Sequence, residues 1–289
     1  MNSVKVGDRL IGEEQPCYVV AEIGINHNGD IELAKRLIAV AAAAGCDAVK
    51  FQKRTPELCV PAAQRNVMRE TPWGYITYMD YRQKVEFGLP EFQIIDSCCR
   101  EHKIAWFASC WDSPSVDFVQ AFDVPCYKIA SATLNDQTLL RHTRAAGKPL
   151  LVSTGMSTLE DVERVVDTLG KEDLVLLHAV STYPAEYEEL NLRAIVTLKN
   201  QFNIPVGYSG HETGIASSVA AVALGACVVE RHITVNRALW GSDHAASLEP
   251  NGITRLVRDI RLVEKSMGTG KKSILDRELP IIARLRRTN

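Results

Sequence analysis

A closed (β/α)8 barrel is the fold this sequence predicts, and three observations predict it. Eight short apolar runs rich in β-branched residues recur along the chain, each bounded by Gly, Pro or polar residues. Amphipathic stretches with helical spacing separate most of them, the alternation of a parallel sheet with covering helices. The eight units occupy about 250 residues, the usual size of such a barrel.

The elements follow in order. Residues 1–16 are polar, and VKVGDRLIGEEQP within them reads as a hairpin placed to plug the barrel bottom. The strands are expected at CYVVAEIG (17–24), DAVKFQK (47–53), AWFASCW (105–111) and CYKIAS (126–131). PLLVSTG (149–155), LVLLHAVSTYP (174–184), VGYSGH (206–211) and CVVERHITV (227–235) complete the set. The first helix, IELAKRLIAVAAAAG, carries Leu33, Leu37, Val40 and Ala44 on one face, and GITRLVRDIRLVEKSM (252–267) supplies the last. Asp30, Ser113, Asn135 and a Ser157/Glu160 capping box are the expected helix starts. The long connection 54–89, with Trp73, Tyr75, Tyr78, Tyr81 and Phe87, reads as a packed excursion or a lid over the mouth. Residues 1–289 form one catalytic domain in this reading, with 268–289 as a tail. The competing fold, an open doubly wound sheet, gains no support because no G-x-G-x-x-G turn follows the first strand.

Composition narrows the function. With 33 Lys and Arg against 35 Asp and Glu, the formal charge of −2 argues against nucleic acid or an anionic membrane as partner. No apolar stretch reaches the roughly 18 residues of a membrane span, and no signal peptide opens the chain. The eight cysteines lack CxxC spacing and lie mostly in apolar contexts, the usage of reduced thiols in a cytoplasmic protein.

In a (β/α)8 barrel the chemistry sits at the C-terminal strand ends, and polar residues gather there. They include Glu22, Asn26 and His27 on the first strand, Lys50 and Gln52 on the second, and Ser109, Trp111 and Asp112 on the third. Lys128 and Ser131, then Ser153 and Thr154, then Ser181, Thr182 and Tyr183 end the next three. Ser209 and His211 end the seventh, and Glu230 and His232 the eighth, with Asp243 and His244 in the loop beyond. Lys50 and Lys128 with several hydroxyls suit an anion; a Schiff base or a structural ion pair are the alternatives. His211 and His232 sit where two imidazoles can share a divalent ion, although a hydrogen-bonded pair or a single general base has the same pattern.

The segments AEIGINHNGDIELAKRLIAVAAAAGCDAVKFQ, YKIAS, STGMSTLEDV, STYP, GYSGHETGI, ERHIT and GSDHAASLEP, in that order, resemble the sialic acid (N-acetylneuraminate) synthase family from about residue 17 to 270. The resemblance implies condensation of phosphoenolpyruvate with N-acetylmannosamine or a related aldose, giving a nonulosonic acid and phosphate. A related synthase acting on a different or phosphorylated aldose is the alternative. It implies a divalent metal, Mn2+ or Mg2+, on His211 and His232. Phosphoenolpyruvate contacts would fall on Lys50, Lys128, Ser131, Ser153, Ser181, Tyr183 and Ser209, and sugar contacts on Glu22, Gln52 and Asp243. Glu22, Lys50, Lys128 and Asp243 are the expected catalytic groups, and a homodimer the expected assembly. Two positions depart from the family pattern: Gly210 stands where Asp is common, and Ser181 where Asn is common. The chain ends near where most members begin a C-terminal antifreeze-like domain that contributes an arginine. The 54–89 connection, or Arg284, Arg286 or Arg287 of a partner copy, is the expected substitute, and an acceptor that needs no such arginine is the alternative.

Overall fold

The computed structural model describes residues 3–287. Strands β1 (Ser3–Val6) and β2 (Arg9–Gly12) form an antiparallel hairpin. Its residues Val4, Val6 and Ile11 are buried, and Arg9 pairs with Asp47 at the start of the second barrel strand. The hairpin therefore closes the N-terminal face, as the sequence led one to expect.

The barrel comprises β3 (Tyr18–Gly24), β4 (Ala48–Lys53), β7 (Ala105–Cys110), β8 (Tyr127–Ile129), β9 (Leu150–Ser153), β10 (Leu174–Ala179), β11 (Val206–Gly210) and β12 (Val228–His232). These eight close in the order β10-β11-β12-β3-β4-β7-β8-β9, all parallel. Each predicted strand is present, shorter by one to five residues: the first two lose only their first residue, and the other six give up their last residues to the loops of the mouth.

Helices α1 (Ile31–Ala44), α4 (Leu89–Glu101), α5 (Ser113–Gln120), α6 (Gln137–Ala145), α7 (Leu159–Leu169), α8 (Ala194–Phe202), α9 (Ala216–Ala223) and α10 (Pro250–Met267) follow the strands. On α1 the buried face is Ala34, Leu37, Ile38, Ala41 and Ala44, while Leu33 and Val40 lie at its edge. Asp30 caps α1 as expected. Three other caps lie one residue away from those predicted: Asp112, one earlier than Ser113, and, each one later, Asp136 rather than Asn135 and Thr158 with Asp161 rather than Ser157 with Glu160. Each site offers two adjacent residues able to cap, and where the strand delivers the chain decides between them.

The 54–89 connection is ordered. It holds α2 (Pro56–Cys59), a hairpin of β5 (Met68–Thr71) and β6 (Gly74–Thr77), and α3 (Tyr78–Val85). Tyr81 on α3 meets Trp240, in the loop after β12, edge to face at 5.0 Å. The connection thus reaches over the rim to the far loop. The tail ends in α11 (Leu279–Leu285), and none of Arg284, Arg286 or Arg287 lines the barrel's central cavity. All eight cysteines are unpaired thiols, buried except for the half-buried Cys59. Among the described residues no helix is long and apolar enough to cross a membrane.

Candidate active site

A cavity of about 200 Å³ opens at the C-terminal end of the barrel. Strand register builds it. Glu22 stands beside His232 on one side and Lys50 on the other, and Gln52, Ser109 and Lys128 form a second row across β4, β7 and β8. A register shift between Glu22 and Gly24 bends β3 at this point, a common device beside active sites.

Four buried charges make the floor. Lys50 Nζ lies 3.2 Å from Glu22 Oε2 and 3.2 Å from Glu230 Oε1, and Lys128 Nζ lies 3.5 Å from the same Glu230 oxygen. Lys128 also donates to Ser153 Oγ at 2.6 Å, and Ser209 donates to Glu230 at 3.2 Å. Burial alone would push Glu230 up, but the two lysines outweigh it and hold the carboxyl down at about 2. Burial pushes Glu22 up to about 7; Lys50 opposes this in part, and repulsion from Glu230 adds to it. Lys128 is lowered to about 8 by burial, aided by repulsion from Lys50 and opposed by Glu230. Burial would likewise lower Lys50, yet Glu22 and Glu230 raise it above the usual lysine value. The structural ion pair weighed for the lysines is therefore real, and it does not exclude an anion: Glu22 can take up a proton and free Lys50.

A stability prediction follows from Glu22. Its folded value of about 7 exceeds the ordinary 4.5, so its contribution is present below the unfolded value and lost as pH rises through about 7. Glu22→Gln, neutral at every pH, is expected to gain melting temperature relative to the native protein between about pH 4 and about pH 8. A difference that stays constant across that range counts against the assignment.

Beside the lysines lies a cradle. The Gly155 N–H donates to Ser131 Oγ at 3.1 Å. A Cβ on Gly155 would stand 2.4 Å from Ser181 Oγ and 2.8 Å from Ser131 Oγ. Two hydroxyls and a backbone N–H thus converge where only glycine leaves room, an arrangement suited to phosphate oxygens.

On the facing strands His211 and His232 have ring centroids 5.5 Å apart. Nδ1 of His211 contacts the Val180 carbonyl, which can only accept, so that nitrogen carries the proton and Nε2 presents a lone pair. The Tyr183 hydroxyl, 2.9 Å away, donates to it. Burial holds His211 down at about 3 and lowers His232 as well, so both rings stay neutral. His232 Nδ1 is buried without a hydrogen bond, and Asp243 Oδ2 stands 3.8 Å from it. Among the described residues no cluster of three or more His, Cys, Asp or Glu surrounds one point, so two imidazoles are the donor set on offer.

A second buried network holds these histidines. Arg231, fully buried, donates from NH1 to Glu212 Oε1 at 3.0 Å, to the Gly214 carbonyl at 2.8 Å and to Ser218 at 2.9 Å. Tyr208 donates to the other Glu212 oxygen at 2.8 Å. Arg231 precedes His232 and Glu212 follows His211, so one ion pair sets both rings. Gly210 belongs to this packing: a Cβ there would lie 2.5 Å from Glu212 Oε2 and 2.7 Å from the Tyr208 ring, leaving no space for a larger residue.

Of the expected strand-end residues, Glu22, Lys50, Gln52, Lys128, Ser131, Ser153, Ser181, Tyr183, Ser209, His211 and His232 all line the cavity. Asp243 stands behind His232. Others serve the scaffold. Asn26 donates to the Ile233 carbonyl and to Ser247, His27 stacks on Phe87 at 3.9 Å, and Asp112 caps α5. Thr154 donates to the Leu177 carbonyl, Thr182 to Glu189, and His244 bonds Thr234. Glu230 holds no histidine; it joins the two lysines. Sequence reasoning missed Gly155 and the Glu212–Arg231 pair, and the only signals were the ST-G-M and S-G-H-E runs themselves.

The sequence profile of the NeuB family matches residues 37–272. The chain is 40% identical over 276 residues to the N-acetylneuraminate-9-phosphate synthase of Homo sapiens, covering 94% of this chain and 77% of that one. It is 36% identical over 290 residues to the N,N'-diacetyllegionaminic acid synthase of Legionella pneumophila, covering 96% and 80%. Among solved structures, the N-acetylneuraminic acid synthetase of Leptospira borgpetersenii, in complex with citrate, aligns with a TM-score of 0.88 at 32% identity, over 99% of this chain and 98% of that one. A profile match across most of the barrel, on a mouth built as described, makes this chain a member of the NeuB family of nonulosonic acid synthases.

Proposed function

We propose that the enzyme condenses phosphoenolpyruvate with N-acetylmannosamine or a related open-chain aldose, releasing a nonulosonic acid and phosphate. One observation carries this reading: two buried lysines flank a hydroxyl-lined cradle, with a neutral histidine pair on the facing strands. A doubly anionic substrate needs the first, and a polarised aldehyde the second.

Phosphate oxygens would sit on Ser131, Ser181 and the Gly155 N–H, with Lys128 and Ser153 beside them. Lys50, Ser209 and Tyr183 would hold the rest of phosphoenolpyruvate. Glu22, Gln52 and Asp243 would bind sugar hydroxyls. C3 of the enol ether attacks the aldehyde carbon and forms the new C–C bond; water adds at C2, and the tetrahedral centre expels phosphate. Glu22, near neutrality in its affinity for protons, is suited to take one from the water or give one to a leaving oxygen. Lys128 stabilises the charge that builds on the departing phosphate.

The two imidazoles fit a divalent ion, Mn2+ or Mg2+: both are neutral, and the Nδ1–H of His211 on a carbonyl is the outer contact a ligating histidine uses. The chemistry such an ion supplies when bound is Lewis-acid polarisation of the aldehyde oxygen. The same reading places the enzyme in the cytoplasm, in keeping with its unpaired thiols, as a homodimer to be checked by its gel-filtration mass.

The deciding assay is phosphate release from phosphoenolpyruvate against a panel of aldoses, with EDTA and with added Mn2+. Aldose-dependent release that EDTA stops is expected; no release with any aldose and metal would refute the reading. Gly155→Ala tests the cradle. With its Cβ inside contact distance of both serines, it is expected to lower kcat/KM for phosphoenolpyruvate by about 100-fold while the protein stays folded. Native kinetics in that variant would put the phosphate elsewhere.

A further inference from the structure

Two arginines beside the mouth are buried with no acidic partner. Arg54 follows Gln52 by two residues at the top of β4, and only 7% of it is exposed. Its guanidinium lies on the Trp111 ring, 3.9 Å from the centroid, and donates to Gln52 Oε1. Arg54 Nε is buried without a hydrogen bond. Arg82, on α3, is 4% exposed, and its NH2 is likewise buried and unbonded. Arg82 follows Tyr81, whose ring meets Trp240 in the loop after β12, and each guanidinium depresses the proton affinity of a neighbour, Arg82 that of Arg54 and Arg54 that of Asp243. Among the described residues neither has a carboxylate within ion-pair distance. Glu86, on the same connection, is occupied by Lys53 Nζ and the Arg54 N–H, both at 2.9 Å.

Water-excluded cations without counter-charges are costly, and proteins keep them where an anion arrives. The position says which anion. Gln52 and Trp111 line the cavity, and Arg54 stands directly behind both. The phosphate cradle is built from the loops after β8, β9 and β10, two to four strands round the closed barrel from β4. Arg54 stands outside the cavity that Lys50 and the cradle serines line, so its anion is assigned to the other substrate. In the proposed reading that substrate turns its aldehyde toward the histidines at the ends of β11 and β12. Two planar forks with five donors each match the geometry and the double charge of a phosphomonoester.

We propose that Arg54 and Arg82 form an anion subsite for a phosphomonoester on the acceptor aldose, at the end remote from its aldehyde. This rests on the condensing activity argued above and selects a phosphorylated sugar over a neutral one.

The test compares N-acetylmannosamine 6-phosphate with N-acetylmannosamine in the phosphate-release assay. In the native enzyme kcat/KM is expected to favour the phosphorylated sugar by about 100-fold or more. Arg54→Met and Arg82→Met should collapse that ratio at least about 30-fold with little change in KM for phosphoenolpyruvate, while Arg54→Lys and Arg82→Lys keep part of it. A second readout is independent of turnover. N-acetylmannosamine 6-phosphate alone should raise the melting temperature of the native protein, and Arg82→Met should abolish the shift without lowering the melting temperature of the free protein. No native preference, an unchanged ratio in both methionine variants, or a loss confined to phosphoenolpyruvate KM would overturn the subsite. If no aldose supports phosphate release, the condensing activity fails, while the thermal shift still decides whether the arginines bind the sugar phosphate.

Discussion

Lys50→Met is expected to lower turnover by about 1000-fold or more. Lys50 Nζ is the one cation that touches both buried carboxylates, 3.2 Å from Glu22 and 3.2 Å from Glu230. Methionine fills similar space but leaves two like charges facing each other in a water-poor floor, where both cannot stay ionised. One carboxyl then takes a proton, Glu22 first, because it already titrates near 7. The variant also forfeits the charge that the proposed function assigns to phosphoenolpyruvate. Stability should fall by about 3 kcal/mol at neutral pH, and less in mild acid where Glu22 is protonated in any case. Phosphate release and melting curves at two pH values check this. Activity within tenfold of the native enzyme would remove Lys50 from the chemistry.

The second large effect is expected beneath the histidines. Arg231→Met should destabilise the fold by about 3–5 kcal/mol, since it strands Glu212, itself fully buried. Removing both charges together, as Arg231→Met with Glu212→Leu, should cost far less, because an apolar pair leaves no unpaired ion. Catalysis should not recover in the double variant. The Arg231 guanidinium also ties down the carbonyls of Glu212 and Gly214, and those ties aim the His211 turn at the cavity. Denaturant melts measure the stability arm, and phosphate release the other. If the double variant is both stable and active, the pair holds the fold but does not position the histidines.

Much of this site was legible before the fold was known. Lys50, Lys128, His211 and His232 lie at the ends of apolar runs, and in a parallel barrel those ends meet at one mouth. The barrel strands are continuous apolar runs buried along nearly their whole length, so the eight could be read directly. The capping residues show the limit of local reading: Ser113, Asn135 and Ser157 have neighbours that cap equally well, and the arriving strand chose Asp112, Asp136 and Thr158.

What the sequence alone determined, then, is the barrel, its polar mouth and the identity of most groups that line it. Tertiary structure alone decided who meets whom. Glu230 pairs with both lysines and with neither histidine, and the β11–β12 register sets it beside Ser209. Gly155 and Gly210 matter for atoms supplied by Ser131, Ser181 and Arg231, residues far along the chain. Arg54 and Arg82 look like ordinary surface arginines in a polar loop, and only the packing of α3 over the rim buries their charge. The physical reason is common to all of these. Hydrophobic periodicity records whether a residue is buried, whereas charge pairing and close approach depend on distances that closure of the barrel creates between distant segments.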